Sequence, residues 1–369
     1  MAAADAVRAA LVERDPETVG QIVNSYKYAA SIVSSVVSNG YIGMVKTIPQ
    51  MYRFIYSRAE RATEVGPFRT WVHQYTATNL RSLIERTRPD IVICTHAFPC
   101  GVMSEYKKQF ADSPPVIGVV TDFAVHSFWI HRNIDGYAVA TDEMRATMIA
   151  RGIDPQHIIV SGIPVNASFV VKPLDRATLR EELGMPQDRF SLILMGGGLG
   201  IGPLEMMIRA LDSVQQKISA TVIAGRNKRL HERVLEAAQR VAYPIRVLSF
   251  VDNVNDYMHA ADALITKPGG LTSAEALVAG IPMVLVKPLP GQEERNTRYL
   301  VERKAALRTK NERDLTRKVE EFLKNPERRH TMLAAVEKLA KPRAADDVAL
   351  LALRIASRTK ERTGDHALV

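Results

Sequence analysis

The sequence predicts an α/β protein built from two doubly wound domains. Three observations carry that expectation. At 369 residues the chain exceeds what one ordinary hydrophobic core holds. Short β-branched runs alternate with amphipathic helical stretches along nearly its whole length, and continuous apolar strands separated by helices imply parallel strands buried on both faces. The alternation is interrupted at Ser161-Gly162-Ile163-Pro164-Val165, where a polar, proline-containing stretch leads to a helix at 176–183. The first domain is accordingly expected over 1–165 and the second over 166–345, with a C-terminal helix and tail over 346–369.

Taken in order, the strand runs of the first half are 90–95, 116–121, 136–140 and 157–160. Those of the second are 190–195, 220–224, 245–249, 263–266 and 283–286. Two stretches depart from the rhythm. Residues 2–13 read as a helix with no strand before it, whereas a doubly wound domain normally opens with a strand and a glycine turn. Residues 25–69 are helix-like, rich in Tyr, Val, Ile and Met, and carry six Lys/Arg against two Asp/Glu.

Composition narrows the function classes. A hydrophobic fraction of 46% with 24% charged residues is that of a globular chain. No run approaches the ~20 apolar residues that span a bilayer, and no secretory signal opens the sequence. Cys94 and Cys100 have neither disulfide-framework nor zinc spacing and read as reduced, buried thiols of a cytosolic protein. The net charge of +9 implies anionic partners, among which nucleic acid, nucleotide phosphates and lipid headgroups all qualify.

Three motifs carry chemistry. In Thr266-Lys267-Pro268-Gly269-Gly270-Leu271-Thr272-Ser273-Ala274-Glu275 a strand ends at Thr266 and a helix is expected to begin near Thr272. Free backbone N–H groups and the positive end of the helix dipole then suit a diphosphate, and Glu275 in the first turn can reach a ribose diol. The plainer reading is a capped turn, with Thr272 and Glu275 as a capping box. The second motif, Met195-Gly196-Gly197-Gly198-Leu199-Gly200, also joins strand to helix but lacks the Gly-Lys-Ser/Thr of a Walker A loop. The third, Lys287-Pro288-Leu289-Pro290-Gly291-Gln292-Glu293-Glu294-Arg295-Asn296, follows the strand at 283–286. Its Gln-Glu pair suits sugar hydroxyls, or simply opens a solvated helix.

Lys267-Pro268-Gly269-Gly270 with Glu275, then Pro290-Gly291-Gln292-Glu293 and Asn296, resembles the monogalactosyldiacylglycerol synthase and processive diacylglycerol glucosyltransferase family, part of glycosyltransferase family 28. Thr121-Asp122-Phe123, His126, Trp129, His131, Ala140-Thr141-Asp142 and Ser161-Gly162-Ile163-Pro164 resemble the acceptor half of the same family. The resemblance implies a GT-B fold, two Rossmann-like domains facing a cleft with a nucleotide sugar on the second. It places Gly197 and Gly198 near the diphosphate, and Gly225, Asn227, Phe250 and Val251 around base and ribose. Lys267, Gly269 and Gly270 form the phosphate turn, with Thr272 on phosphate and Glu275 on ribose. Gln292 and Glu293 meet the sugar, and Asn296 is counted among the UDP-sugar-binding residues.

On the acceptor side the resemblance implies Trp129 and His131, and His96 joins them by its place at the end of the strand 90–95, with Asp122 and His126 as candidates within the chain for taking the hydroxyl proton. No metal and no cofactor are implied. Residues 28–51 are expected to face a membrane, with Lys27, Lys46 and Arg53 on lipid phosphates, or else to form an internal helical hairpin. One departure stands out. The family opens with a strand and a Gly-x-Gly-His turn bearing its leading base, and Met1 is expected to fall just beyond that histidine.

The function implied is inverting transfer of glucose or galactose from UDP-glucose or UDP-galactose to diacylglycerol. It would proceed on the cytoplasmic side at an anionic membrane surface, with no nucleic acid involved. A hydrolysing UDP-sugar epimerase of the same fold, or a catalytically silent UDP-sugar- or membrane-binding protein, are the alternatives.

Overall fold

The computed structural model describes residues 1–29, 67–170, 174–196 and 202–364. These fall into two compact units. One comprises Met1–Pro164, Pro290–Gln292 and Arg343–Val369, the other Val165–Leu289 and Glu293–Pro342.

The first unit opens with α1 (Ala2–Arg14), which buries Ala3, Ala6, Val7, Ala10 and Leu11 at helical spacing. A 3-10 turn at Ser25–Tyr28 follows, started by Asn24, whose side chain accepts from the Tyr26 amide. Lys27 lies in this turn, whereas Lys46, Arg53 and most of the stretch expected to face a membrane lie outside the described residues. Next come α2 (Pro67–Thr87), β1 (Val92–Cys94), α3 (Ala97–Gln109), β2 (Val116–Val119), β3 (Gly136–Val139), α4 (Asp142–Ala150) and β4 (Ile158–Val160). The four strands are parallel and ordered β1-β2-β3-β4. Both central strands are buried at every position, as continuous apolar runs in a covered parallel sheet must be. Helices α2 and α3 meet at Gly101, where a Cβ would stand 2.3 Å from Cε1 of the buried His73 ring. The free thiols of Cys94 and Cys100 are buried, and burial pushes that of Cys100 up to about 12, which makes it unreactive.

The second unit runs α5 (Arg176–Glu182), β5 (Phe190–Met195), α6 (Leu204–Asp212), β6 (Ile218–Ile223), α7 (Lys228–Ala238), β7 (Ile245–Leu248) and α8 (Val254–Ala260). It continues through β8 (Ala263–Thr266), α9 (Gly270–Ala279), β9 (Met283–Leu285), α10 (Gln292–Glu302), β10 (Ala306–Arg308), α11 (Glu312–Lys324) and α12 (Pro326–Leu339). Its six parallel strands are ordered β10-β9-β8-β5-β6-β7. From β5 the chain winds outward through β6 and β7, then crosses back to β8 and winds the other way. Strand order therefore reverses between β5 and β8, and the crevice beyond their carboxyl ends is where such sheets take ligands. The chain finally returns to the first unit as α13 (Ala344–Gly364), which packs along α1. Val348, Leu351 and Ala352 join Val7, Leu11, Ile117 and Val119 in one apolar cluster, and the Arg14 guanidinium grips Asp346 with two nitrogens.

All nine strand runs read from the sequence are present, and β10 is a tenth. Ala306–Arg308 is three residues long and set among charged neighbours, so it shows no apolar run of its own.

One buried ion pair fastens α5 to the start of the second sheet. Asp262 accepts from the Ser191 amide at 2.7 Å and from Arg180 at 2.7 Å, and Arg176 lies 2.9 Å from its other oxygen. Removing the carboxylate strands the buried Arg180 charge. Asp262→Ala is therefore expected to cost about 3–5 kcal/mol, read as a fall in the urea midpoint of the full chain. A midpoint within experimental scatter of the parent would contradict this account.

Candidate functional site

Both glycine motifs lie at the strand-order reversal of the second unit. Gly196 follows β5, and a Cβ on Gly202 would stand 2.2 Å from the Gly196 Cα, so the two glycines close the base of the segment between them by backbone contact. Gly197 and Gly198 lie within that segment, outside the described residues.

The turn after β8 differs from the expected one in a way that bears on chemistry. α9 begins at Gly270, with Gly269 as its N-cap and no side-chain cap bond. Thr272 is therefore a third helical residue and Glu275 lies in the second turn, so the Thr272–Glu275 capping box does not form. Gly lacks the oxygen that would occupy the first amides, which leaves the helix N-terminus as a set of undischarged N–H donors. A Cβ on Gly269 would meet nothing within 4 Å, so the approach to those donors is open. The Gly269 amide itself turns back onto the Lys267 carbonyl at 2.9 Å.

Glu275 is the chemically unusual residue. It has neither an ion-pair nor a hydrogen-bond partner among the described residues, and burial raises its carboxyl pKa from 4.5 to about 7. A half-ionised carboxylic group beside free helix donors, with no role in capping, is what a ligand hydroxyl pair would complete. Thr266 Oγ and Ser273 Oγ, both fully buried, also lack partners and frame the same turn.

A second set of side chains holds the turn in place. The Lys267 ammonium lies 3.3 Å from Glu293 Oε1, whose other oxygen accepts from the Leu289 amide at 2.6 Å. Asn296 is fully buried and donates to the Pro268 carbonyl at 3.0 Å. Asn296, expected among the UDP-sugar-binding residues, thus lies beneath the loop and positions it. Glu293 is anchored from both oxygens, with lone pairs left over for a hydroxyl. Gln292 is the first residue of α10 and follows Gly291, whose φ of +96° sets the turn.

At the carboxyl ends of β6 and β7 a cavity of about 400 Å³ is lined by Gly225, Arg226, His231, Ser249 and Phe250. Gly225 has φ +73°, the left-handed conformation that glycine takes without strain. Asn227 caps α7, accepting from the Leu230 amide at 3.1 Å, so its side chain serves the helix. Phe250 is 44% exposed, and the Arg226 guanidinium stacks 3.6 Å from its ring centroid. Val251, the next residue, is half-buried. Arg226 is the functional candidate that sequence reading passed over. Its stacking partner lies 24 residues away, across a helix and a strand, and only the fold joins them.

In the first unit the residues expected on the acceptor side separate into two groups. Trp129 and His126 are buried, at 2% and 4% exposure. Tyr137 of β3 fixes this segment, its hydroxyl donating to the Trp129 carbonyl at 2.8 Å and accepting from the His131 amide at 3.0 Å. The Trp129 ring therefore acts as a packing anchor and presents no face to an acceptor. Asp122 and His131 are half-buried, and the His131 ring bonds back to the Phe128 carbonyl at 3.2 Å. His96 caps α3, its Nδ1 accepting from the Phe98 amide at 3.2 Å, which leaves Nε2 as the proton-bearing nitrogen of the neutral ring. Tyr26 stacks on Phe98 at 4.7 Å and reaches His96 with its hydroxyl, two aromatics the sequence did not single out.

Comparison with known proteins fits this geometry. Residues 1–165 match the family model of monogalactosyldiacylglycerol (MGDG) synthase, and residues 191–348 that of the glycosyltransferase family 28 C-terminal domain. A processive diacylglycerol beta-glucosyltransferase of Bacillus mycoides is 29% identical over 318 residues, 86% of this chain and 81% of that protein. A counterpart from Bacillus cereus aligns over the same shares at 29%. Among solved structures, Acinetobacter baumannii MurG superposes with a TM-score of 0.56 at 18% identity, over 77% of this chain and 79% of that one. S. aureus MnaA, solved with UDP, gives 0.58 at 14% identity over 82% of each chain. These structures share the GT-B fold with its two Rossmann-like domains. With a match to the MGDG-synthase model followed by one to the family 28 C-terminal domain, the chain is a member of glycosyltransferase family 28.

Proposed function

We propose that the protein transfers a hexose, glucose or galactose, from its UDP-sugar to the free hydroxyl of diacylglycerol, with inversion at the anomeric carbon. The observation that carries this reading is the partnerless Glu275 carboxyl beside the uncapped N-terminus of α9, at the point where strand order reverses. The diphosphate would lie against the amides of Gly270, Leu271 and Thr272, with the ribose hydroxyls donating to Glu275. The base would lie in the cavity beside Gly225 and Phe250. Glu293, held by Lys267, is poised for a sugar hydroxyl. As the bond to the diphosphate breaks, charge grows on the leaving group, and the helix N-terminus offsets it without reorganisation. No cofactor enters the proposal.

The acceptor hydroxyl must lose its proton as the new bond forms. Of the two in-chain candidates, Asp122 is half-buried at the end of β2 whereas His126 is enclosed, so Asp122 is the better placed. Diacylglycerol as acceptor rests on the first-domain family match and on the activity named for the Bacillus relatives. A lipid acceptor implies work at a bilayer surface. The basic stretch 25–69, with six Lys/Arg against two Asp/Glu, would supply a peripheral attachment to anionic headgroups. The deciding assay is UDP release from UDP-glucose or UDP-galactose with and without diacylglycerol vesicles. Lipid-dependent release with a glycolipid product supports the reading, and lipid-independent turnover points to an epimerase.

Three outcomes follow for variants and surfaces. In the native protein Glu275 keeps its proton from its ordinary pKa of 4.5 up to about 7, so the folded state binds more protons than the unfolded one in that window. Stability of the unliganded protein should therefore fall as pH rises through it, by up to ~3 kcal/mol. Glu275→Gln should remove that fall, leaving the variant more stable than the parent at pH 8, while weakening UDP by about 10–100-fold. A Gln variant that keeps full UDP affinity would return Glu275 to the fold. Gly269→Ala should melt with the parent, since its methyl enters open space, yet lose UDP affinity by calorimetry because that space is the phosphate approach. Co-sedimentation with vesicles should rise with anionic lipid content and decline with salt, as charges screened over about 10 Å at 0.1 M must. Equal binding to neutral vesicles would assign the positive charge elsewhere.

A further inference from the structure

A second cavity, of about 340 Å³, opens beside the edge strand β10, on the far side of β9 from the donor turn. Lys304, Arg308, Lys318 and Arg328 line it over an apolar floor that includes Leu307 and Met332. Three of these cations have carboxylate neighbours, Arg308 with Glu294 at 2.8 Å, Arg328 with Glu321 at 3.1 Å and Lys318 with Asp314 at 3.8 Å. Asp314 and Glu321 are both shared with a fifth cation, Arg317. Four cations line the cavity against three carboxylates, two of them shared with Arg317, which leaves the lining net positive. Lys304 has no ion pair among the described residues.

Lys304 is also conformationally out of place. It ends α10 with φ +61°, its amide bonded to the Val301 carbonyl at 3.0 Å and the Ala305 amide to that of Leu300 at 2.9 Å. A left-handed helix end of this kind normally takes glycine, as α9 does with Gly280 at φ +75°. The two amide bonds close the helix end, as a glycine would, but they make no use of the lysine side chain, which has no ion pair among the described residues and lines a cationic cavity. Such outliers persist where a ligand uses them.

We propose that this cavity binds a phosphomonoester carried on a short apolar group. A net positive lining suits a group bearing about −1.5 to −2 at neutral pH, and the apolar floor suits what is attached to it. Lipid and small-metabolite sources share this chemistry, and the site stands whether or not the donor reading holds.

The test is calorimetric titration of the full chain with hexyl phosphate, inorganic phosphate and hexanol. Parallel titrations use Lys304→Asn/Arg328→Gln, Lys304→Arg and Gly269→Ala. Asn tolerates the left-handed backbone, so the double variant should melt with the parent. Hexyl phosphate is expected to bind, and to weaken roughly tenfold or more in the double variant, as loss of two charge-assisted contacts requires. Lys304→Arg and Gly269→Ala should bind as the parent does. Inorganic phosphate matching hexyl phosphate, with both lost in the double variant, would keep the site and name a free anion as its ligand. Absence of hexyl phosphate binding, hexanol binding equally well, or binding that survives the double variant and vanishes in Gly269→Ala would overturn the proposal.

Discussion

The second unit depends on how the chain passes from β8 into α9. A strand buried at every position must turn into a helix within three residues, and it does so without a side-chain cap. The amides this leaves undischarged are the functional resource, and an uncapped helix start is also a weak point. The neighbouring elements compensate. Asn296 holds the Pro268 carbonyl from α10, and Lys267 is tied to Glu293, which in turn fixes the Leu289 amide. The loop after β9 and the start of α10 therefore stabilise the β8–α9 turn, and the two motifs that sequence reading treated as separate form one device.

A similar division holds in the first unit. Apart from His96, the segment after β2 bears the polar residues expected on the acceptor side, yet its geometry is set by Tyr137 from β3, which bonds the backbone on both sides of Ile130. With Trp129 driven inward as ballast, the exposed chemistry of the segment reduces to Asp122 and His131. Aromatic bulk positions these polar groups and does not itself meet substrate.

Much of this was legible in the sequence because the parallel sheets are buried on both faces, so their strands stand out as unbroken β-branched runs. β10 escaped because an edge strand of three residues needs no such run. The glycine turns were legible as turns, but the start of α9 was misplaced by two residues. Thr272 and Glu275 have capping-box spacing, and only the φ/ψ path through Gly269 shows that the helix has already begun. The roles of Asn296 and Trp129 were invisible for a different reason. Whether an Asn in a helix or a Trp in a turn faces ligand or core is decided by its burial, which sequence spacing does not encode. Arg226 required a contact between the ends of two strands, a relation that exists only after the sheet has formed.

The composition of α9 sharpens what Glu275 is for. From Gly270 to Ala279 it is made of small and aliphatic residues and two hydroxyls, and seven of its ten positions are buried. Glu275 is its sole charged residue. A helix packed this closely gains nothing from a carboxylate. Largely withdrawn from water and given no partner among the described residues, the group makes the folded protein resist ionisation near neutral pH. Folding alone would favour Gln, or Ala, at this position. The carboxylate is intelligible when a bound ligand supplies the donors the protein withholds, since two hydroxyls hydrogen-bonded to it would stabilise the charged form that burial disfavours. The instability of the empty site and the affinity of the filled one then have a single origin, the missing partner of one side chain.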